Sequence, residues 1–485
     1  MTPTVVNGEL HEPARARLDA SLFLLVLLAA LGLRCYTLAP RPMHADEANQ
    51  AVKLGQLLEQ GRYVFDAADH HGPTLYYFGL IPAWLRGQAT LAALDETTVR
   101  LTPAIAGVVA VALLWLLVRP WGRWPAFLAA GLLAVSPAAV YYSRYFIQET
   151  LLVTFTLGAL VVGQRWWRTG RLGWAAATGV CLGLMLATKA SALVYALVAV
   201  LALAASGASG RSARPLGAAA GTALAFALVV VGLFYSSFGR NPAGLSAAVH
   251  SIGLMTVKAT AGLTGHEKPW WYYASLFVWH RNGLLWDQSL FLLPALAGGV
   301  LALRRRGLPR FLALNTAVIA VIFSLAPYKT PWQVVGIIPG LCALAALALT
   351  RLRWLVAAPL VVAMLLELGW QMRRAVFSKP ADERNPFAYV HSSPDVKKVP
   401  AIAAAAPAGA IKVISAEYWP LPWYLRHRPD TGYWTEPPAD CDAALIFVDA
   451  AQAGTVRERL KGKYWEGFLG LRPGFMLVVF EQEDK

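Results

Sequence analysis

Apolar runs near twenty residues long, separated by short arginine-bearing segments, dominate the first three quarters of the chain. Runs of this kind with uncharged centres suit the ~20 residues an α-helix needs to cross about 30 Å of hydrocarbon. They predict about eleven transmembrane helices, over residues 20–38, 101–118, 125–142, 147–164, 173–188, 190–206, 216–235, 286–303, 311–326, 332–349 and 353–370. The stretches 125–164 and 173–206 are almost continuous. As single helices rising ~1.5 Å per residue they would overshoot the bilayer. The polar "SRYFIQE" is therefore expected to break the first, and Thr188-Lys189 the second.

Beyond residue 370 the pattern changes. "KPADERNPF" reads as a linker, "IKVISA", "AALIFVDA" and "FMLVVFEQ" as short strands, and "AQAGTVRERLKGK" as a helix. The expected organisation is a short segment 1–19, a transmembrane region 20–370, and a small α/β domain over 371–485.

Arginine sets the orientation. With the N-terminus cytoplasmic, the inner loops are "RPWGR", "RWWRTGR", "GRSARP", "RRRGLPR" and "TRLR", all basic and nearly free of acid. Loops of about 39–100 and 236–285, and the C-terminal domain, then face the extracytoplasmic side of the cell membrane. A cleaved signal peptide, with Arg15 and Arg17 ahead of the apolar stretch, is the alternative reading of the first span. An anchoring first span explains the same residues.

Composition agrees: 57% hydrophobic, 15% charged and a mean hydropathy of +0.48 exclude an ordinary soluble protein. The net charge of +15 is spread over the inner loops and needs no nucleic acid to explain it. Cys35, Cys181, Cys342 and Cys441 are scattered singly, which indicates neither a disulfide framework nor a cysteine metal site.

No span centre carries an acid or base, which leaves little for proton or ion passage through the membrane. The unusual polar groups fall at helix ends, on the extracytoplasmic side of this topology. "RPMHADEANQAVKLGQLLEQG" places His44, Asp46 and Glu47 just after the first span, and "DHHGPTLYY" adds His70 and His71 to the same loop. "YYSRYFIQE" contributes Arg144 and Glu149, and Lys189 joins the fifth and sixth spans. "GHEKPWWYY" holds His266 and Glu267, and "APYKTPW" holds Lys329.

Each has a structural explanation when taken alone. Acids in a first helical turn favour the helix dipole, Arg144 and Gln148 are spaced as an i,i+4 pair, and lysines near helix ends snorkel to the interface. Taken together, acids at one point with bases around them suit an anionic substrate that leaves as a phosphate. Asp46 is then the candidate general base and Glu47 its partner or a substrate ligand. Arg144, Lys189 and Lys329 are candidate phosphate ligands, and His70, His71, Glu149, His266 and Glu267 further binding groups. A divalent metal on the histidines and nearby acids is possible, although no i,i+4 histidine pair of a zinc helix is present. No Gly-rich phosphate loop points to a nucleotide.

An acidic pair after the first span, then "HHGPTLYY", "SPAAVYYSRYFIQE", "GLMLATKASAL" and "YKTPW", resembles the GT-C membrane glycosyltransferases. Within them the chain is similar to the protein O-mannosyltransferase and aminoarabinose-transferase branch, and to a bacterial and archaeal flippase-activity-associated, mannosyltransferase-like family. The tail phrases "NPFAYVHSSPDVKKV", "WPLPWYLR" and "LRPGF" extend the likeness over nearly the whole chain. The "WWDYG" motif of oligosaccharyltransferases is missing. The resemblance implies a GT-C fold, a first-loop acid that activates the acceptor, and a polyprenyl-phosphate sugar as donor. A lipid-linked-glycan flippase or its accessory, and a catalytically silent relative, are the competing functional classes.

Overall fold

The computed structural model describes residues 12–67, 69, 71–208, 216–260, 265–278 and 287–483. In chain order the helices begin with α1 (Glu12–Cys35), α2 (Ala45–Gln60), α3 (Thr74–Leu85), α4 (Glu96–Val118), α5 (Arg123–Val135) and α6 (Pro137–Tyr142). Next come α7 (Glu149–Thr169), α8 (Leu172–Leu186), α9 (Ala192–Ala205), α10 (Leu216–Tyr235), α11 (Gly244–Thr260) and α12 (Tyr272–Ser275). The remainder are α13 (Ser289–Leu303), α14 (Leu308–Leu325), α15 (Ile338–Leu349), α16 (Trp354–Arg373), α17 (Val399–Ala405), α18 (Leu421–Tyr424) and α19 (Ala453–Arg459). The strands are β1 (Ile411–Ile414), β2 (Thr431–Trp434), β3 (Leu445–Asp449), β4 (Tyr464–Arg472) and β5 (Phe475–Gln482).

The chain divides into two units. One holds Met1–Tyr36, Val64–Leu75 and Arg100–Ser378. The other holds Thr37–Tyr63, Tyr76–Val99 and Lys379–Lys485, so the C-terminal segment shares its unit with two pieces of the first loop.

Each predicted span of the first unit falls on a helix. Among the described residues five segments are long and apolar enough to cross a membrane unaided: Arg15–Cys35, Glu96–Trp121, Leu216–Tyr235, Leu308–Leu325 and Trp354–Ser378. The expected breaks are present: turns occupy 143–148 between α6 and α7, and 187–191 between α8 and α9. Predicted span 125–142 is itself divided at Ser136, because Pro137 has no N–H to continue the ladder from α5. The stretch 332–349 starts as a 3-10 turn over Pro331–Gly336 before α15, all of whose residues except Gly340 are buried.

Small residues let the helices approach closely. A Cβ on Gly179 of α8 would lie 2.2 Å from the Ala223 carbonyl oxygen of α10, so only glycine permits this pairing. Arg34, 1% exposed, is one charged side chain inside a predicted span. Its guanidinium donates to the carbonyls of Leu133 at 3.1 Å and Ala134 at 3.0 Å, capping the negative end of α5.

In the second unit the sheet runs in the order β2-β1-β3-β5-β4, with β2, β1 and β3 parallel and β5 antiparallel to both of its neighbours. Three of these strands are the apolar runs expected from sequence. The two others, β2 and β4, form the edges. Ile414, Ile446, Val448, Val478 and Phe480 pack with Val456 of α19 to close one face of the sheet.

Candidate functional site

The first turn of α2 belongs to the second unit. His44 is the N-cap: its Nδ1 accepts from the Asp46 N–H at 3.1 Å, and Glu47 Oε2 accepts from the His44 N–H at 3.1 Å. This reciprocal arrangement is a capping box with imidazole in the place usually taken by a hydroxyl. Glu47 is fully buried, and its carboxylate also holds Arg41, at 3.0 Å from Nη2 and 2.9 Å from Nη1. The two adjacent acids therefore differ completely. The Asp46 side chain is 52% exposed and lies 4.0 Å from His44 Nδ1. Among the described residues its carboxylate accepts no hydrogen bond.

Behind this turn sit residues of the C-terminal segment. His44 Nε2 donates to the Tyr389 carbonyl at 2.9 Å, and Arg41 Nη1 lies 3.1 Å from His391 Nε2. Burial, then the Arg41 charge, then His44, hold His391 well below the ordinary histidine value. Its imidazole is thus neutral and accepts from the guanidinium.

The first unit carries the candidate bases. Glu149 opens α7, where the helix dipole favours an anion, and forms an ion pair with Lys189 in the turn between α8 and α9. Both are largely buried. The "HHGPT" segment is clamped beside that turn: Gly72 N–H donates to the Thr188 carbonyl at 3.0 Å and Thr74 N–H to the Ala187 carbonyl at 3.1 Å. A Cβ at Gly72 would come within 2.2 Å of the Ala187 oxygen, so only glycine fits there. His71 is thereby brought next to the Lys189 turn and is exposed. His70 lies outside the described residues.

The "GHEK" and "PYKT" segments also meet. Glu267 and Tyr328 form an antiparallel bridge, Lys329 N–H donates to the His266 carbonyl at 3.0 Å, and the His266 and Tyr328 rings are 5.0 Å apart. Lys329 is 2% exposed; its ammonium donates to the carbonyl of Lys268 at 2.9 Å and to that of Ala326. Among the described residues it has no carboxylate partner, and burial pushes its pKa down. Neither Lys189 nor Lys329 extends outward as a snorkelling lysine would.

Arg144 lies in the turn run after α6, so its spacing to Gln148 is not a helical one. Its Nη1 donates to the carbonyls of Leu33 at 3.3 Å and Arg34 at 3.0 Å in the last turn of α1 and of Tyr36 at 2.6 Å just after it, and the guanidinium stacks 4.9 Å from the Phe377 ring.

A cleft in this unit is lined by Glu149, Lys189, Ser191, Tyr195, Trp332 and Gln333. Gln333 accepts from the Tyr273 hydroxyl, which also lies 3.2 Å from the Thr330 carbonyl. Tyr195, Tyr273, Trp332 and Gln333 are not among the residues the sequence reading names; "GHEKPWWYY" runs through Tyr273 and "APYKTPW" ends on Trp332, while Tyr195 and Gln333 carry no local signal. Among the described residues no three His, Cys, Asp or Glu side chains converge as metal ligands.

Residues 79–235 match the family model of the dolichyl-phosphate-mannose-protein mannosyltransferases. The sequence matches none of the curated proteins with which it was compared. The fold is similar to that of ArnT from Cupriavidus metallidurans, both in the apo state (TM-score 0.66, 16% identity, 96% of this chain and 98% of that chain) and bound to undecaprenyl phosphate (TM-score 0.63, 16% identity, 97% and 98%). It is also similar to the archaeal oligosaccharyltransferase AglB from Archaeoglobus fulgidus in complex with an inhibitory peptide and a dolichol-phosphate (TM-score 0.56, 14% identity, 86% of this chain and 64% of that chain). Residues 79–235 thus resemble the dolichyl-phosphate-mannose-protein mannosyltransferases, and the fold is similar to those of ArnT and AglB.

Proposed function

We propose that the protein transfers a sugar from a polyprenyl-phosphate donor to a hydroxyl of an extracytoplasmic acceptor. The lipid phosphates bound by ArnT and AglB support this class of donor. The observation that carries the reading is the contrast between the two acids: Glu47 is consumed by Arg41 and the His44 N–H, whereas Asp46 keeps an accessible carboxylate.

Asp46 takes the proton from the acceptor hydroxyl as its oxygen attacks the anomeric carbon. The bond from that carbon to the phosphate oxygen breaks, and polyprenyl phosphate leaves with the bonding pair. One displacement inverts the anomeric centre. Lysine ammonium groups offset the charge gained by the phosphate, and Lys329 is suited to this because it is a buried cation with no carboxylate partner among the described residues. Lys189 already faces Glu149, so it serves a phosphate by sharing its donors. Glu47 acts by holding the turn, and His71, His266, Glu267 and Arg144 are assigned to the donor's surroundings.

The topology is testable directly. On the topology proposed from the arginine-bearing loops, a tag at Gly307 reports the cytoplasm and a C-terminal tag the opposite side. A cytoplasmic C-terminus would remove the extracytoplasmic site.

Arg144→Lys separates two roles. A lysine keeps a charge and several donors for the carbonyls at the C-terminal end of α1, so a capping role is largely preserved. A phosphate ligand loses its planar fork, and affinity for a polyprenyl-phosphate sugar falls about tenfold while affinity for a polyprenol lacking phosphate does not change. Unchanged affinity for both lipids assigns Arg144 to the helix end alone.

A further inference from the structure

The turn that carries Asp46 is held from behind by the segment "NPFAYVHSSPD", in the same unit. A serine or aspartate N-cap would satisfy the Asp46 N–H and stop there. The imidazole of His44 has a second nitrogen, and that nitrogen reaches the Tyr389 carbonyl at 2.9 Å. Its tautomer is thereby fixed, with Nδ1 as acceptor and Nε2 as donor. Arg41 repeats the pattern: it grips Glu47 on one side and His391 Nε2 at 3.1 Å on the other. The His391 Nδ1–H in turn donates to the Ser392 carbonyl at 3.2 Å.

Arg41, His44, Glu47 and His391 are all at most 8% exposed. Burying two imidazoles and an ion pair costs desolvation that apolar packing would avoid. What the polar arrangement supplies is direction, since every bond in it constrains an angle as well as a distance. A general base needs that control, because misplacing it by about 1 Å can cost about a hundredfold in rate.

Resting on the reading of Asp46 as the base, we propose that His44, Arg41 and His391 are positioning residues, through which the C-terminal segment sets the orientation of the Asp46 carboxylate for transfer. The segment is a working part of the catalytic unit, and its histidine acts at a distance from the reacting atoms.

The test uses purified full-length variants and release of polyprenyl phosphate from polyprenyl-phosphate mannose, with kcat and donor KM measured per folded molecule. His391→Leu lowers kcat about ten- to a hundredfold with donor KM unchanged. His391→Gln restores the rate, because its amide accepts from Arg41 and donates to the Ser392 carbonyl. His44→Asn keeps the helix cap yet loses the link to Tyr389, and lowers kcat similarly. If His391→Leu does not accumulate, His44→Asn decides alone. Wild-type kcat in the folded variants, or a loss confined to folded yield, overturns the positioning role. An inactive Asp46→Asn beside active positioning variants leaves the base reading intact; an active Asp46→Asn sinks both.

Discussion

Asp46→Asn lowers sugar transfer by about 10²–10⁴-fold, the usual range for losing a positioned general base, with folded yield and donor affinity near those of the wild type. The exposed carboxylate accepts no hydrogen bond among the described residues, and asparagine preserves its shape. Its helix-dipole contribution is at most about 1 kcal/mol, too little to unfold the protein. Glu47→Gln gives the opposite pattern. It leaves the buried Arg41 without its counter-charge and weakens the capping box, which costs about 3–5 kcal/mol and shows first as lost folded protein. Size-exclusion yield and transfer rate, measured together on both variants, distinguish a base from a strut. Equal loss of folded protein in both would make Asp46 a helix-cap residue.

The second large effect lies at Lys189. Lys189→Met strands Glu149 as an unpaired buried carboxylate, a change worth about 3–5 kcal/mol of stability. Lys189→Met combined with Glu149→Leu removes both charges, and replacing a whole buried pair by apolar groups is often neutral. The double variant is therefore expected to fold. Its affinity for a polyprenyl-phosphate sugar stays about 10–100-fold below that of the wild type, the worth of a charged hydrogen bond to phosphate. Thermal unfolding and a lipid-binding titration give the two readouts. A double variant that binds the phosphorylated donor normally would confine Lys189 to structural pairing.

What the sequence made legible is what local pattern controls. The breaks at 143–148 and 187–191 followed from length against bilayer thickness, and β1, β3 and β5 from short apolar runs. The strands β2 and β4 were missed because edge strands are only partly buried: Trp465 and Phe468 alternate with neither a polar nor an apolar rule that marks a core strand. The division of span 125–142 at Ser136-Pro137 follows from the proline, a purely local signal inside an otherwise continuous apolar run.

At the site, residue types were legible and partnerships were not. Asp46 and Glu47 are adjacent and chemically alike in sequence; only their burial shows that one is sealed and the other accessible. The capping box escaped notice because histidine is not among the usual N-cap residues. Glu149 and Lys189 stand 40 residues apart, and His391 is 350 residues from Arg41, distances over which no periodicity speaks. Lysine near a helix end suggested snorkelling for Lys329, and burial with carbonyl partners shows otherwise.

The central claim is that the protein breaks the bond between a sugar and a polyprenyl phosphate. Purified protein in vesicles, supplied with a polyprenyl-phosphate sugar labelled in the sugar and with native membranes as the acceptor source, tests it most directly. The account predicts that polyprenyl phosphate accumulates in step with acceptor-bound sugar of inverted anomeric configuration, and that Asp46→Asn stops both. Donor that remains intact, or that crosses the bilayer with its sugar still attached, would contradict it.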